Sequence, residues 1–258
     1  MANVVGLRKA DELAGKVALV TGGARNIGRA ISRALAAGGA SVMVNVNTSV
    51  DAASETVGLI EAAGGKAAYH VADVTDEAAV RRLVEATVQR FGRLDIVVSN
   101  AAIRVETPFE NITLSEWHKV LATVLDGAFL SAQAALPHLK QAGGASIINI
   151  GGLTGHKGAL HRSHVITAKA GLAGMTKALA LELAEHDITV NCVVPGAIET
   201  QRGLPGAPER PDSRKSYPPA GRRGQPEEIA AMVRMLAGPD ARYITGQAIH
   251  INGGGYLP

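Results

Sequence analysis

A chain of 258 residues with 47% hydrophobic and 19% charged residues holds enough apolar material for one substantial core, a size that suits a single large α/β domain. The formal net charge is only +3, although the sequence pI is about 9.1; with 3% aromatic residues and no long basic run, nothing argues for nucleic-acid binding. The lone Cys192 excludes an internal disulfide, the N-terminus MANVVGLRKADELAG has no apolar leader core, and no stretch approaches bilayer length, so a cytoplasmic protein without membrane contact is expected.

After an N-terminal extension over 1–14, the domain 15–258 opens on an apolar run near 17–21. It runs into Thr21-Gly22-Gly23-Ala24-Arg25-Asn26-Ile27-Gly28 and a helix near 27–37. Glycines at a strand-to-helix turn let backbone approach a pyrophosphate, and the helix start offers N–H groups and partial positive charge. A strand near 41–46 and helix near 51–63 follow, then strand 67–71 and helix 77–90, then strand 95–99 and a long helix over 115–141. Strand 145–150, helix 163–185 and strand 188–194 come next, and helix 226–237 and strand 247–251 close the chain. Strands alternating with helices predict a doubly wound, Rossmann-like parallel sheet of about seven strands with helices on both faces.

Between Thr200 and Gln225 the rhythm breaks into a run rich in proline, glycine and arginine. Arg202, Arg210, Arg214, Lys215, Arg222 and Arg223 outnumber Glu209 and Asp212. A loop this long is expected to be a lid beside the site, either simply solvated or acting as a funnel for an anionic substrate. No His-Glu-x-x-His spacing is present, and no metal site is expected.

With the glycine turn in place, the spaced motifs resemble the short-chain dehydrogenase/reductase family over nearly the whole length. Asp73-Val74 follows the third strand, where the family holds adenine, and Ser99-Asn100-Ala101-Ala102 stands where it usually has Asn-Asn-Ala-Gly. Pro195-Gly196 follows the sixth strand, with Ile198 and Thr200 placed for the nicotinamide amide and phosphates, and Thr245-Gly246-Gln247 to Asn252-Gly253-Gly254 matches the C-terminal strand. Asn26 replaces the family's second glycine, a substitution the turn can carry because asparagine tolerates left-handed backbone. The second strand ends at Val46 between Asn45 and Asn47, without the carboxylate usual in NAD-specific members. Arg25 either pairs with a 2′-phosphate or faces solvent. NADP(H) is therefore expected over NAD(H), held by Gly22, Arg25, Asn26, Ile27, Gly28, Asn47, Asp73, Val74, Asn100, Ala101, Lys169, Pro195, Gly196, Ile198 and Thr200.

The resemblance also implies a serine, a tyrosine, a lysine and an asparagine for proton transfer to a carbonyl. The matching positions here are Gly152, Val165, Lys169 and Val124, so Lys169 alone remains. His161, four residues before Val165, is the expected replacement acid if its helix starts early enough; His164, Thr154 and Arg162 are further donors, and His156 and Tyr217 are more remote. The expectation is an atypical NADP-dependent oxidoreductase acting on an activated C=C, imine or carbonyl, with Arg104 and the lid suiting a small anionic substrate. The alternatives are a lyase, isomerase or cyclase retaining NADP(H), and a non-catalytic partner of an active relative. Membership also implies a homotetramer joined through the two long helices.

Overall fold

The structure is a computed structural model and describes residues 11–200 and 218–258. Its described residues form one seven-stranded sheet, all parallel, in the order β3-β2-β1-β4-β5-β6-β7. The strands are β1 (Val17–Val20), β2 (Ser41–Val46), β3 (Lys66–Val71), β4 (Ile96–Ser99), β5 (Ala145–Ile150), β6 (Ile188–Pro195) and β7 (Ala248–Ile251). Between them lie α1 (Asn26–Ala37), α2 (Val50–Ala62), α3 (Glu77–Phe91), α4 (Leu114–Leu121), α5 (Gly127–Ala142), α6 (Thr154–Lys157), α7 (Ser163–Glu182) and α8 (Pro226–Ala237). From β1 the sheet runs through β2 to β3 on one side and through β4 onward on the other. The order reverses between β1 and β4, which opens a crevice at the carboxyl ends of those strands.

Alternation within the strands divides the core. Ala18, Val20, Ile96, Val98, Ile148 and Ile150 pack with α1, α2 and α8 on one face. Leu19, Val97, Ile147 and Val190 pack with α3 and α5 on the other. The strands β1, β4, β5 and β6 are buried on both faces, as parallel strands covered by helices must be. Residues 11–14, assigned by sequence to an extension, are folded onto this domain: Leu13 is fully buried and donates its N–H to Gly38 O at 2.8 Å.

Two helical features depart from expectation. The predicted 115–141 helix is broken by a π turn, Ala122–Asp126, that holds the buried Val124. π turns mark places where a helix is locally re-registered, often at functional sites. Its full run, Leu114–Ala142, is 29 residues and contains an 18-residue window of mean hydropathy 1.4, long and apolar enough on those grounds alone to cross a bilayer. The expectation that no stretch reaches that length is thus corrected. Its burial is that of a core helix on one side, since Ala128, Ser131, Ala132, Ala135 and Leu139 are all buried.

Candidate active site

The crevice is built from the glycine turn upward. Thr21 N donates to Val98 O at 3.0 Å, and the Thr21 hydroxyl accepts the N–H groups of Asn100 and Ala101 at 3.0 and 3.1 Å. Asn100 was expected to meet the cofactor, yet its side-chain amide donates to the carbonyls of Thr21 and Gly22, both at 3.0 Å. It holds the turn in shape. Gly22 has φ +61°, in the left-handed region, and Asn26 follows at φ +48°. Asparagine is among the few side-chain-bearing residues that sit there readily.

At Gly28 a Cβ would lie 2.2 Å from Gly22 O and 2.7 Å from Asn100 Nδ2. Gly28→Ala is therefore expected to cost about 1–3 kcal/mol, because the obstructing atom is backbone and cannot rotate away. A urea midpoint unchanged from wild type would contradict this packing. Arg25, exposed, stands at the N-cap of α1, whose first turn carries no acidic residue. The first-turn N–H groups and the positive end of a 12-residue helix thus stand at the crevice, beside glycines that leave no side chain in the way. These features fit a pyrophosphate.

At the end of β2, Val46 is buried and Asn47 is exposed. The sequence places no carboxylate on this strand end, but the fold carries one to it: Asn47 Nδ2 donates to Asp73 Oδ2 at 3.0 Å. Asp73 Oδ1 accepts from Thr75 N at 2.9 Å and Thr75 Oγ1 at 2.8 Å. The Thr75 backbone and hydroxyl donors, with Asn47, hold the Asp73 carboxyl below its usual value. Asn45, which sequence reading treated only as a flank, is buried and bonds to Gly22 N and to Ala72 O. It ties the turn to β2 and β3. Val74 is also buried and packs so close to α5 that a Cβ on Gly127 would lie 2.9 Å from its Cγ2.

Across the crevice, Gly196 N donates to Ile251 O at 2.9 Å, and a Cβ on Gly196 would meet Asn252 Cα at 2.6 Å. Pro195 ends β6, and Gly196, Ile198 and Thr200 follow it, with Ile198 buried and bridged to Gly224. Most of the proposed lid, including Tyr217, lies outside the described residues. At its far base, Arg222 makes a two-pronged ion pair with Glu228, at 2.7 and 2.8 Å.

Lys169 lies in α7 with Val165 one turn before it and Gly152 beside it; a Cβ on Gly152 would sit 3.8 Å from Lys169 Cγ. Lys169 Nζ donates to Ile150 O at 2.5 Å. Burial pushes the ammonium down to about 8, only partly offset by Cys192. Cys192 is buried, which raises its thiol to about 11 and leaves it a packing residue. A Cβ on Gly151 would lie 2.7 Å from Cys192 Sγ, so a side chain there would have to displace the thiol, whereas Gly152 has room for one.

The expected role of His161 on the Lys169 face is not supported by the helix boundary. α7 begins at Ser163, and His161 lies before it, exposed, with φ +60°. The four-residue spacing therefore does not place the two on one helical face. His164 is fully buried, its Nε2 3.0 Å from Glu116 Oε1, and Glu116 also accepts from Thr107 Oγ1 at 2.6 Å. That pairing of α7 with α4 had no sequence signal, because Glu116 sits in an ordinary amphipathic helix. His156 packs instead against His250, with ring centroids 4.6 Å apart. Among the described residues no group of three or more His, Cys, Asp or Glu could hold a metal.

The model for enoyl-(acyl carrier protein) reductases matches residues 22–255. An uncharacterized oxidoreductase of Methylorubrum extorquens is 40% identical over 248 residues, covering 95% of this chain and 99% of its own. The 3-oxoacyl-[acyl-carrier-protein] reductase FabG of Vibrio cholerae is 37% identical over 245 residues, with 95% and 99% covered. Among solved structures, a short-chain dehydrogenase from Burkholderia cenocepacia J2315 in complex with NADP superposes with a TM-score of 0.88 at 35% identity, covering 95% of this chain and 99% of that one.

Proposed function

The chain belongs to the short-chain dehydrogenase/reductase family, and from that membership we propose that it is an NADP(H)-dependent reductase whose proton donor is Lys169. The observation that carries the reading is the setting of Lys169: a glycine beside it, a valine one turn before it, and an ammonium lowered to about 8 by burial. An acid whose pKa lies near the working pH is the most effective proton donor. At neutral pH the Lys169 ammonium is charged, and Ile150 O takes one of its three donors, leaving two N–H groups for a substrate oxygen and a ribose hydroxyl.

The nicotinamide, when bound, supplies the hydride. Residues of this chain do the rest. The α1 start and its glycines bind the pyrophosphate, and Asn47 with Arg25 receives the 2′-phosphate end. The absence of an acidic residue at the end of β2 and the NADP held by the similar Burkholderia protein support NADP(H) over NAD(H). Lys169 Nζ then delivers a proton to the oxygen or nitrogen that becomes basic as the substrate is reduced.

The test is NADPH oxidation with activated alkene, imine and carbonyl acceptors; no rate above background with any of them would sink the proposal. The scaffold can also be asked to take back the missing groups. Gly152→Ser combined with Val165→Tyr is expected to raise reduction of a simple ketone by about 10²-fold or more, the usual worth of a positioned acid. A folded double variant with no gain would show that the cleft does not align them.

A further inference from the structure

The position of Lys169 depends on how α7 lies against the run from α4 to α5. Ala168 and Leu172 of α7 share one buried cluster with Val124 and Ala128, a seam made mostly of small side chains. Small apolar contacts fill space but discriminate poorly between neighbouring registers. Past the lysine the seam has a steric key. A Cβ on Gly171 would lie 2.9 Å from Leu125 Cδ2, so this leucine of the π turn sits in the notch that the glycine leaves. Before the lysine the key is polar.

His164, one turn before Ala168 on the same face, is fully buried, with Glu116 Oε1 of α4 3.0 Å from its Nε2. The Thr107 hydroxyl, and after it His164, holds the Glu116 carboxyl below its usual value, so the carboxylate accepts and the ring N–H donates. The other ring nitrogen, Nδ1, is buried with no hydrogen-bond partner among the described residues. The ring therefore depends on Glu116. Sliding α7 by one residue would bury both nitrogens unpaired, which a protein interior rarely accepts. Thr107 extends the pin, since its N–H donates to His161 O at 2.8 Å and ties the loop after β4 to the entry of α7. Lys169 follows five residues after His164, and α6 packs on its backbone: a Cβ on Gly155 would lie 3.2 Å from both Ala170 N and Lys169 C.

We infer that His164 is a positioning residue, which through Glu116 fixes the register of α7 so that Lys169 faces the substrate while staying buried against Ile150 O. This rests on the reductase reading and deepens it by naming what aims the proton donor. A register error has two consequences at the lysine. Exposing the ammonium returns it from about 8 toward the ordinary lysine value, because burial is the main cause of its depression. Misplacing it by about 1 Å costs about 10²-fold in turnover.

The Lys169 midpoint is read by NMR titration of protein carrying isotope-labelled lysine, its signal assigned by loss in Lys169→Met, and turnover is read by NADPH oxidation. His164→Leu fills the space of the ring without a donor. It is expected to raise the midpoint by about half a pH unit or more and to lower kcat about 10²-fold, with the acceptor KM changed far less. His164→Gln, whose amide nitrogen can reach the same carboxylate, is expected to restore both. Glu116→Leu removes the acceptor at the partly exposed end of the pair and is expected to reproduce His164→Leu; it carries the test if circular dichroism shows His164→Leu unfolded. A folded variant of either kind with the wild-type midpoint and kcat overturns the inference, and so does a His164→Gln protein as impaired as His164→Leu. The reductase reading fails differently: wild type oxidises NADPH with no acceptor, while the midpoint still moves in His164→Leu and returns in His164→Gln.

Discussion

Lys169→Met is expected to lower NADPH-dependent turnover by about 10²–10⁴-fold, the range that one general acid contributes. Methionine keeps the length of the side chain and removes its proton. The wild-type pH profile separates this reading from a purely structural lysine. Burial places the Lys169 ammonium at about 8, against 10.5 in an unfolded chain. Reduction is therefore expected to fall as pH rises through about 8, where the acid loses its proton. The residual activity of Lys169→Met would lack that limb; a variant that kept the same limb would assign it to another group.

The same shift predicts stability with the opposite sign. Between about pH 8 and 10.5 the unfolded chain binds a proton that the folded lysine has released, so stability rises with pH across that window. Below about pH 8 the folded protein carries a buried charge that methionine would not. Lys169→Met is thus expected to be at least as stable as wild type at neutral pH, measured by urea unfolding. Lost turnover together with retained stability would identify a chemical role for the residue.

Asp95→Ala is expected to have the largest effect on stability, about 1–3 kcal/mol, the cost of leaving a buried donor without its acceptor. Asp95 is fully buried just before β4. Its carboxylate accepts two hydrogen bonds from Arg93, at 2.6 and 2.9 Å, and one from Val17 N at 2.9 Å, with Lys16 Nζ 3.8 Å away. Truncation leaves the first N–H of β1 without its partner and two cations without their counter-ion. The pin lies at the end of β1 opposite the glycine turn, so the crevice itself is not touched. Urea denaturation measures the loss, and a change below about 1 kcal/mol would show that water replaces the carboxylate at little cost. Asp95→Asn, which keeps one acceptor for Val17 N, is expected to fall between the two.

Much of this protein was legible in the chain itself. Repeating Val- and Ile-rich runs with longer Ala-rich helices determined the parallel, doubly wound sheet, because strand and helix periodicities are local. The spacing of Gly22, Asn26 and Gly28 determined the dinucleotide turn for a similar reason: a tight turn restricts which residues can occupy left-handed positions or face backbone at 2–3 Å. The identities of Gly152, Val165 and Lys169 were readable by register, and so was the loss of the usual donors.

Only the tertiary structure decided what those residues touch. It started α7 at Ser163, which detached His161 from the Lys169 face, and it turned Asn100 inward to brace the turn. It brought Asp73 to Asn47, Glu116 to His164, and Glu106 between Arg104 and Arg162. Apart from Glu106 with Arg104, each of these contacts joins segments remote in sequence and depends on how two loops or two helices pack. A side chain's charge is written in the sequence, but its partner is chosen by the distance and burial that folding imposes.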